Sequence, residues 1–420
     1  MHHFAYRDGR LAAENVDLTA LAAEVGTPFY CYSAATLRRH VKVMQDAFAA
    51  VPTLLAYAMK ANSNQAVLKV LAGEGAGADV VSLGELERAL AAGIAPQKIV
   101  FSGVAKTEAE MRRGLEAGIF CFNIESEPEL ERLEQVASSM GATAKVSVRI
   151  NPNVDARTHE KISTGQAGSK FGVPFDRAVA LYEQIRRTKH IRATGIDLHI
   201  GSQITDLSPM DNAFAVMREL VVSLRAAGHE IAHVDVGGGL GIPYASDVTP
   251  PPDPAAYAQI VLKHVAGLDC GLIIEPGRLI AGNAGILVMR VEYVKHGAER
   301  IFVIVDAGMN DFIRPTLYNA EHEIWPVEEA RAAGAIFGDL VGPVCETGDY
   351  FARSRRLPEA KEGDLLAIMS AGAYGAVMAS TYNSRPLIAE VLVDGARHHL
   401  VRPRQTIKEM IGLDSVPGWL

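Results

Sequence analysis

The chain has 420 residues, which is longer than one ordinary hydrophobic core supports, so its length predicts roughly two domains, with single-domain barrels as the exception. Apolar residues make up 49% of the sequence and charged residues 21%, a composition that excludes a disordered chain and indicates a globular protein with a large core. The formal charge is −8 without a basic block, which excludes nucleic acid and anionic membrane surfaces as partners and favours a small molecule.

The cysteines and the N-terminal segment indicate in which cellular compartment the protein is expected. The four cysteines are far apart and form no CxxC pair, which argues against a disulfide framework and against a zinc site. His159, Glu160 and His233 also lack the spacing of metal ligands, so we predict no metal site. The sequence has no run of about 18 apolar residues, and the segment that starts at Met1 lacks the apolar core of a signal peptide. We therefore expect a cytoplasmic protein.

From Thr53 onward, short β-rich runs alternate with stretches of helical period, which is typical of parallel strands joined by helices. The runs are Leu54 to Met59, Ala78 to Ser82, Lys98 to Ser102, Ile119 to Ile124, Lys145 to Ile150, Gly195 to Ile200, His233 to Val236 and Leu272 to Glu275. Eight strands in a segment of this length match a (β/α)8 TIM-like barrel, which takes about 250 residues. We predict an α/β fold with this barrel over residues 27–280.

An open doubly wound sheet is the alternative to a barrel. The placement of polar residues favours the barrel, because Lys60, His199, the glycines from Gly237 to Gly239 and the segment that starts at Glu275 stand at or just after the ends of runs. The carboxyl ends of barrel strands share one rim, where active sites of this fold are built.

Beyond Arg278 the sequence becomes β-rich and carries turn signals such as Asp394-Gly395. We predict that residues 281–420 form an all-β domain, and that residues 1–26 join it.

Two features at the predicted rim suggest a phosphorylated cofactor. Lys60 follows an apolar strand, where partial removal of water favours the neutral amine that forms a Schiff base. The alternative is a lysine that extends into solvent. The cluster Gly237-Gly238-Gly239 follows the seventh strand, where barrels commonly bind phosphate, although a simple tight turn would also use these glycines.

Four further rim residues fit the same kind of site. Glu275 could face the pyridine nitrogen of a cofactor, and Arg278 offers a planar donor pair for a carboxylate or a phosphate. His199 could stack on a cofactor ring, and Ser202 could donate to its phosphate. The alternatives are a Glu–Arg pair that closes the barrel mouth and a structural histidine.

Two motifs lie in the predicted β domain. Arg314 and Tyr318 are four residues apart in one, and the other places the thiol of Cys345 beside Glu346. Cys345 stands in a loop bounded by glycine and proline and could donate a proton, although buried free cysteines are commonly inert. Tyr374 adds a phenol in a glycine-rich setting. The composition of these motifs alone does not establish a function for them.

Together the motifs resemble the alanine-racemase-like, fold-type III family of pyridoxal-phosphate enzymes and, within it, the diaminopimelate decarboxylases. The resemblance runs essentially end to end and keeps the motifs in family order. They are Tyr57 to Ser63, His199 to Gln203, Gly237 to Gly239, Glu275 to Arg278, Arg314 to Tyr318, Cys345 to Asp349 and Gly372 to Gly375.

The resemblance implies a cofactor, pyridoxal 5'-phosphate, that is held by Lys60. It also implies that His199 stacks on the ring and that Glu275 meets its pyridine nitrogen. The remaining cofactor-binding residues that we expect are Asp79, Ser202, Gly238, Gly239, Gly277, Arg278 and Tyr374.

The resemblance further implies a homodimer in which Cys345, Glu346 and Tyr374 reach the active site of the partner subunit. The substrate ligands that we expect are Arg278, Arg314, Tyr318, Glu346 and Tyr374. Arg278, Arg314 and Tyr318 would bind the distal carboxylate, and Glu346 the distal ammonium. Cys345, with Lys60 the second catalytic residue, would protonate the product.

The implied reaction is decarboxylation of meso-2,6-diaminopimelate at its D-centre to L-lysine and carbon dioxide, the final step of lysine biosynthesis. An ornithine, lysine or arginine decarboxylase of the same fold is the nearest alternative, but its substrate has no distal carboxylate to pair with Arg314. A racemase would need acid–base groups on both faces of the ring. A non-catalytic regulator that binds pyridoxal phosphate is disfavoured because Lys60 and Cys345 are both present.

Overall fold

The computed structural model describes residues 2–166, 168–245 and 250–420 of the chain. They divide into two compact units. The barrel unit contains residues 38–242 and 250–280, and the β unit contains residues 2–37, 243–245 and 281–420.

Eight parallel strands form the centre of the barrel unit. In chain order they are Thr53–Ala58, Gly77–Val80, Ile99–Phe101, Cys121–Ile124, Ala144–Asn151, Ile191–Leu198, His233–Asp235 and Gly271–Ile274. Each strand pairs with the next one in parallel, except that the short strand Val173–Pro174 also pairs with the fifth. The eighth strand pairs with the first, which closes the barrel. The predicted barrel is therefore confirmed, and the open sheet is excluded.

Helices connect these strands, and five of the seven that follow begin at a residue whose side chain caps the first turn. They are Gln65–Gly73, Leu83–Ala91, Glu108–Ala117, Glu127–Met140, Phe175–Arg187, Ser208–Ala226 and Pro254–Val265, with 3-10 turns at Met59–Ala61, Pro96–Lys98 and Glu160–Ile162. Helices Ala34–Ala47 and Arg278–Ala281 cross the unit boundaries. Thr107 and Glu110 form a capping box, in which each side chain accepts from the backbone of the other residue. Such caps satisfy amide groups that the first helical turn leaves without partners.

The β unit contains a small antiparallel sheet and a larger mixed sheet. The small sheet consists of Phe4–Arg7, Arg10–Ala13 and Val16–Asp17. The strands of the larger sheet are Phe29–Ser33, Gly285–His296, Ile301–Val305, Ile324–Pro326, Ala335–Val341, Tyr350–Pro358, Leu365–Ile368, Ala389–Asp394 and Arg397–Arg402. The helices of this unit are Leu18–Val25, Arg314–Tyr318 and Ile407–Ile411, with 3-10 turns at Gly282–Ala284, Glu329–Ala333, Ala376–Met378 and Tyr382–Ser384.

The unit boundary near the N-terminus differs from the predicted one at residue 27. Strand Phe29–Ser33 is fully buried and pairs antiparallel with Gly285–Val288 and parallel with Ala389–Val393. Both pairings belong to the β unit, so this unit extends to Leu37 and the barrel unit starts at Arg38. An apolar run of five residues looks the same in either kind of sheet, which is why its pattern did not reveal the partner.

The N-terminal strands share the hydrophobic core of the β unit. Phe4 and Leu11 are buried together with Phe29, Ile286 and residues of the strand Ala389–Asp394. Within the part of the chain that the structure describes, no helix combines the length and the apolar character that crossing a bilayer requires.

Candidate active site

Lys60 lies at the carboxyl end of the first barrel strand, in the turn Met59–Ala61. Its Nζ is 3.0 Å from Asp79 Oδ2 at the end of the second strand. The Lys60 side chain is 40% exposed, whereas that of Asp79 is 1% exposed. The amine is therefore held by a buried carboxylate and remains accessible at the barrel mouth.

The glycine cluster forms the turn after the seventh strand, where two positions cannot carry a side chain. A Cβ on Gly238 would lie 2.2 Å from the carbonyl oxygen of Glu275. Gly239 has φ +106°, and a Cβ there would lie 2.3 Å from the carbonyl oxygen of Gly201. The glycines thus let three rim segments approach each other closely, which leaves the backbone at the surface of the site.

His199 ends the sixth strand region and accepts a hydrogen bond at Nδ1 from the amide of Gly238, at 3.2 Å. Burial lowers its pKa well below the ordinary histidine value, and the positive charges of Arg149 and Lys60 lower that pKa further. The imidazole is therefore neutral at physiological pH. A neutral ring suits the stacking role that the sequence suggested, because it requires no counter-ion on the face of a cofactor.

Ser202 and Arg278 form a pair of donors on the same rim. Arg278 donates to Ser202 Oγ from Nη2 at 3.0 Å and from Nε at 3.3 Å. Arg278 is 6% exposed, so its charge lies inside the protein rather than in solvent. A buried cation beside a hydroxyl is a suitable binding site for a phosphate or a carboxylate.

A group of buried acids lies in the barrel around Glu275. Oxygens of Asp197, Asp235 and Glu275 all lie within 4.8 Å of one another. Burial and mutual repulsion raise the pKa of Glu275 and of Asp197 well above their ordinary values, and burial raises that of Asp235 to about 7. These carboxyls therefore hold protons that exposed acids would release. One oxygen of each has no hydrogen-bond partner among the residues that the structure describes, and for Glu275 it is Oε1.

Sequence reasoning missed Asp197 and Asp235 and their cationic neighbour Arg149. Arg149 is buried in the fifth strand, with Nη1 3.4 Å from Glu125 and Nε 3.9 Å from Asp197. A usable signal was present, because charged residues inside otherwise apolar strands are rare unless they face a partner or a site. Glu85, close to Asp79 and Lys60, was missed as well, and burial raises its pKa to about 7.

Asp235 makes stability depend on pH in a direction that can be measured. Its pKa is about 7 in the folded chain and 3.8 in the unfolded one, so the folded state binds more protons between these values. Its contribution to the free energy of unfolding therefore falls as pH rises through this window. Asp235→Asn keeps the oxygen that accepts from the amide of Gly237, at 2.9 Å, and removes the titration.

We expect Asp235→Asn to unfold at higher urea concentration than the parent at pH 8, and to gain less or nothing at pH 5. The difference should be on the order of a few kcal/mol, because the site is completely buried. Urea denaturation of the cofactor-free chain measures it. Asp46→Asn, at an exposed ion pair, is the control and should be neutral at both pH values. An equal gain at both pH values would contradict the assignment.

In the β unit, Arg314 and Tyr318 begin and end one short helix. Arg314 is 4% exposed, and its Nη1 donates to the phenol oxygen of Tyr244 at 2.9 Å. Tyr244 was not a predicted site residue, because a single tyrosine in the segment Gly241 to Ala245 carries no motif of its own. The structure therefore shows that Tyr244 is a direct contact of Arg314, the cationic residue that the sequence predicted.

The Cys345 loop is ordered by Asp349, which accepts from the amides of Met309 and Val344, each at 2.6 Å. The amide of Cys345 donates to Asn383 Oδ1 at 2.8 Å, and the Cys345 side chain is exposed. Thr316 Oγ1 donates to the carbonyl of Gly348 at 2.6 Å and so ties this loop to the Arg314 helix. The two predicted β-unit motifs are thus brought together.

The exposed Cys345 differs in its environment from the buried Cys31 and Cys121. Burial raises the pKa of the Cys31 and Cys121 thiols well above the ordinary value, so these cysteines stay protonated and inert. A hydrogen bond to the Glu346 carboxylate raises the pKa of Tyr382. Tyr374, the third predicted residue here, has φ +56° and is half-buried.

The barrel residues fit pyridoxal phosphate. Lys60 supplies an accessible amine, and Glu275 supplies a buried carboxyl oxygen without a protein partner, as a ring nitrogen would require. Ser202, Arg278 and the glycine turn supply donors and close backbone for a phosphate. The donor set therefore matches the three polar features of this cofactor.

Comparisons with known proteins agree with this fit. The family described as pyridoxal-dependent decarboxylase, pyridoxal binding domain, matches residues 34–282. The diaminopimelate decarboxylase of Vibrio cholerae serotype O1 is 50% identical over 418 residues, which cover 99% of each chain. The crystal structure of diaminopimelate decarboxylase from M. jannaschii in co-complex with L-lysine matches with a TM-score of 0.95 at 36% identity and covers 100% of both chains.

A crystal structure of diaminopimelate decarboxylase from Helicobacter pylori complexed with L-lysine matches with a TM-score of 0.91 at 40% identity, covering 94% of this chain and 99% of that one. The family match covers more than half of the chain, and the full-length identity to V. cholerae is high. The chain therefore belongs to the pyridoxal-dependent decarboxylases and, within them, to the diaminopimelate decarboxylase family.

Proposed function

We propose that the chain decarboxylates meso-2,6-diaminopimelate at its D-centre and yields L-lysine and carbon dioxide. The observation that carries this proposal is the barrel rim, where Lys60, Glu275 and the Ser202–Arg278 pair follow strands of one closed barrel. Pyridoxal 5'-phosphate, when bound, supplies the electron sink for the negative charge that carbon dioxide leaves behind. The protein's own groups bind, orient and move protons around that cofactor.

Lys60 is the residue that would hold the cofactor, and Asp79 would assist it. The ion pair at 3.0 Å with the buried Asp79 carboxylate would hold the Lys60 side chain at the barrel mouth, where the amine would bind the cofactor.

Glu275 would face the pyridine nitrogen and His199 the plane of the ring. The buried Glu275 carboxyl, whose Oε1 has no partner among the described residues, would pair with the ring nitrogen and keep that nitrogen protonated. Neutral His199 would limit motion of the ring by stacking. Ser202, Gly238, Gly239, Gly277 and Arg278 would bind the phosphate.

The substrate's distal end would be recognised by the β unit. Arg314 is a buried cation, and Tyr318 stands on the same short helix, so a carboxylate is the group they suit. Together with Arg278 they would bind the distal carboxylate, and Glu346 would bind the distal ammonium. Ornithine and arginine lack that carboxylate, so they would leave the Arg314 guanidinium without its charge partner.

Cys345 would donate the proton that replaces carbon dioxide on the product, because it is the exposed thiol of a loop ordered by Asp349. We propose that the enzyme is a cytoplasmic homodimer in which Cys345, Glu346 and Tyr374 complete the active site of the partner subunit. A concentration series in analytical ultracentrifugation, with activity measured in parallel, tests this. Full activity from a monomer would contradict it.

The direct test of the function is a comparison of substrates. The purified, cofactor-loaded chain is incubated separately with the meso, L,L and D,D isomers of diaminopimelate and with ornithine, lysine and arginine, and released carbon dioxide is measured. We expect release from the meso isomer to dominate. Preferential release of carbon dioxide from ornithine would contradict the assigned substrate but would still agree with a decarboxylase.

Arg314→Ala should raise the KM for meso-diaminopimelate by well over tenfold, since a hydrogen bond to a charged group is worth about 1.5–3 kcal/mol. Steady-state kinetics of carbon dioxide release measure it, with Arg355→Ala in the strand Tyr350–Pro358 as control. An unchanged KM would remove Arg314 from the substrate pocket.

A further inference from the structure

Tyr244 contacts the guanidinium of Arg314 in two ways. Its phenol oxygen accepts from Arg314 Nη1 at 2.9 Å, and the guanidinium carbon lies 4.8 Å from the centre of its ring. Arg314 is 4% exposed, so it has lost most of its hydration. An aromatic face and a phenol oxygen both stabilise a cation in that situation.

Tyr244 is itself fixed by a second layer of contacts. Its carbonyl oxygen accepts from the amide of Glu323 at 3.2 Å. Its ring meets the imidazole of His322 edge-on, with 4.7 Å between ring centres, and Phe312 lies against the same imidazole at 4.8 Å.

The orientation of His322 is fixed by a hydrogen bond of its own. Its Nδ1 is 2.9 Å from the carbonyl oxygen of Met369, so that nitrogen carries the proton and donates it. His322 is 1% exposed. Backbone, ring and hydroxyl of Tyr244 are therefore all constrained, and the orientation of Arg314 is constrained through them.

We propose that Tyr244 is a positioning residue that sets the plane of the Arg314 guanidinium for recognition of the distal carboxylate. This inference rests on the proposed function and deepens it. Recognition of a carboxylate by two parallel N–H donors depends on the plane of the guanidinium, which a flexible arginine side chain does not fix by itself. Tyr244 fixes it from one side, through the hydrogen bond to Nη1 and through its ring.

The experiment compares Tyr244→Phe with the parent holoenzyme. The variant loses the hydroxyl and keeps the ring against His322, so folding should be preserved. We expect the KM for meso-diaminopimelate and the inhibition constant of L-lysine, which retains the distal carboxylate, to rise roughly threefold to tenfold, the factor of one net hydrogen bond. The kcat and the inhibition constant of 1,5-diaminopentane, which has no carboxylate, should stay unchanged.

A double-mutant cycle separates positioning from a general structural effect. In the Arg314→Ala background, Tyr244→Phe should add no further increase in KM, because the group that it orients is gone. Tyr293→Phe, at a tyrosine that is 61% exposed in the same unit, is the matched control and should behave as the parent.

Three outcomes would overturn the inference: an unchanged KM in Tyr244→Phe, a loss of kcat with unchanged KM, or an equal rise of KM in the Arg314→Ala background. If the parent enzyme itself released no carbon dioxide from meso-diaminopimelate, the proposed function would fail first, and this inference with it. If the parent turns over meso-diaminopimelate and Tyr244→Phe has the same KM as the parent, this inference would be overturned while the proposed function would stand.

Discussion

Lys60→Ala is expected to lower kcat for carbon dioxide release from meso-diaminopimelate by about 10²- to 10⁴-fold, the range that a positioned acid–base group contributes. In the proposed function the Lys60 amine binds the cofactor covalently, and its Nζ lies 3.0 Å from Asp79 Oδ2. Borohydride reduction of the parent followed by peptide mapping should recover the cofactor on the peptide that contains Lys60. The variant should yield no such peptide.

Lys42→Ala is the control, since Lys42 is 71% exposed and pairs with Asp46 on its own helix. It should retain parent activity and labelling. Trapping of the cofactor on a different lysine, or full activity of Lys60→Ala, would falsify the assignment. Absence of any trapped cofactor in an inactive parent would instead favour a non-catalytic role for the whole chain.

Glu275→Ala is expected to lower kcat by about 10²- to 10³-fold at saturating cofactor, the effect of removing one preorganised electrostatic partner. Glu275 carries the buried Oε1 that has no partner among the described residues, which suits it to pair with the ring nitrogen. Glu275→Gln should resemble the alanine variant, because an amide keeps the shape but cannot carry the negative charge that holds a pyridinium proton. Steady-state kinetics and the ¹⁵N chemical shift of labelled cofactor measure both effects.

Glu87→Gln, at an exposed glutamate paired with Arg113, serves as the control and should match the parent. The KM for the substrate should change little in the Glu275 variants, because in the proposed site Glu275 would face the cofactor and not the distal end of the substrate. A Glu275→Gln enzyme with parent kcat would show that charge at this position is not required.

The barrel and much of its rim could be predicted from the sequence because both leave local signals. Each strand is a short apolar run, and Lys60 or Glu275 at the end of such a run is automatically placed on one rim once the strands close. Gly238 and Gly239 were also predictable because they follow a strand. The structure explains why they are glycines, since a Cβ at either position would clash with a backbone carbonyl oxygen.

The remaining features depend on contacts between distant parts of the chain. Asp197 and Asp235 are single acidic residues within strands. Burial in the closed barrel is the main cause of their raised pKa values, and the barrel also brings their carboxyls close to that of Glu275. Tyr244 acquires its role from Arg314, seventy positions later in the chain. Such pairings have no periodicity and therefore no local sequence signal.

The strand Phe29–Ser33 has a consequence for how the protein is made. Both of its partner strands, Gly285–His296 and Ala389–Asp394, come after the whole barrel in the chain, so the barrel is an insertion within the β unit. During synthesis the barrel segment emerges complete while this apolar strand still lacks both neighbours. Closing so long a loop is slow, and the waiting strand edge is open to pairing with other chains. This strand can pair fully only after the C-terminal strands have been synthesised, and chains truncated before Ala389 would leave the edge that pairs with Ala389–Asp394 exposed.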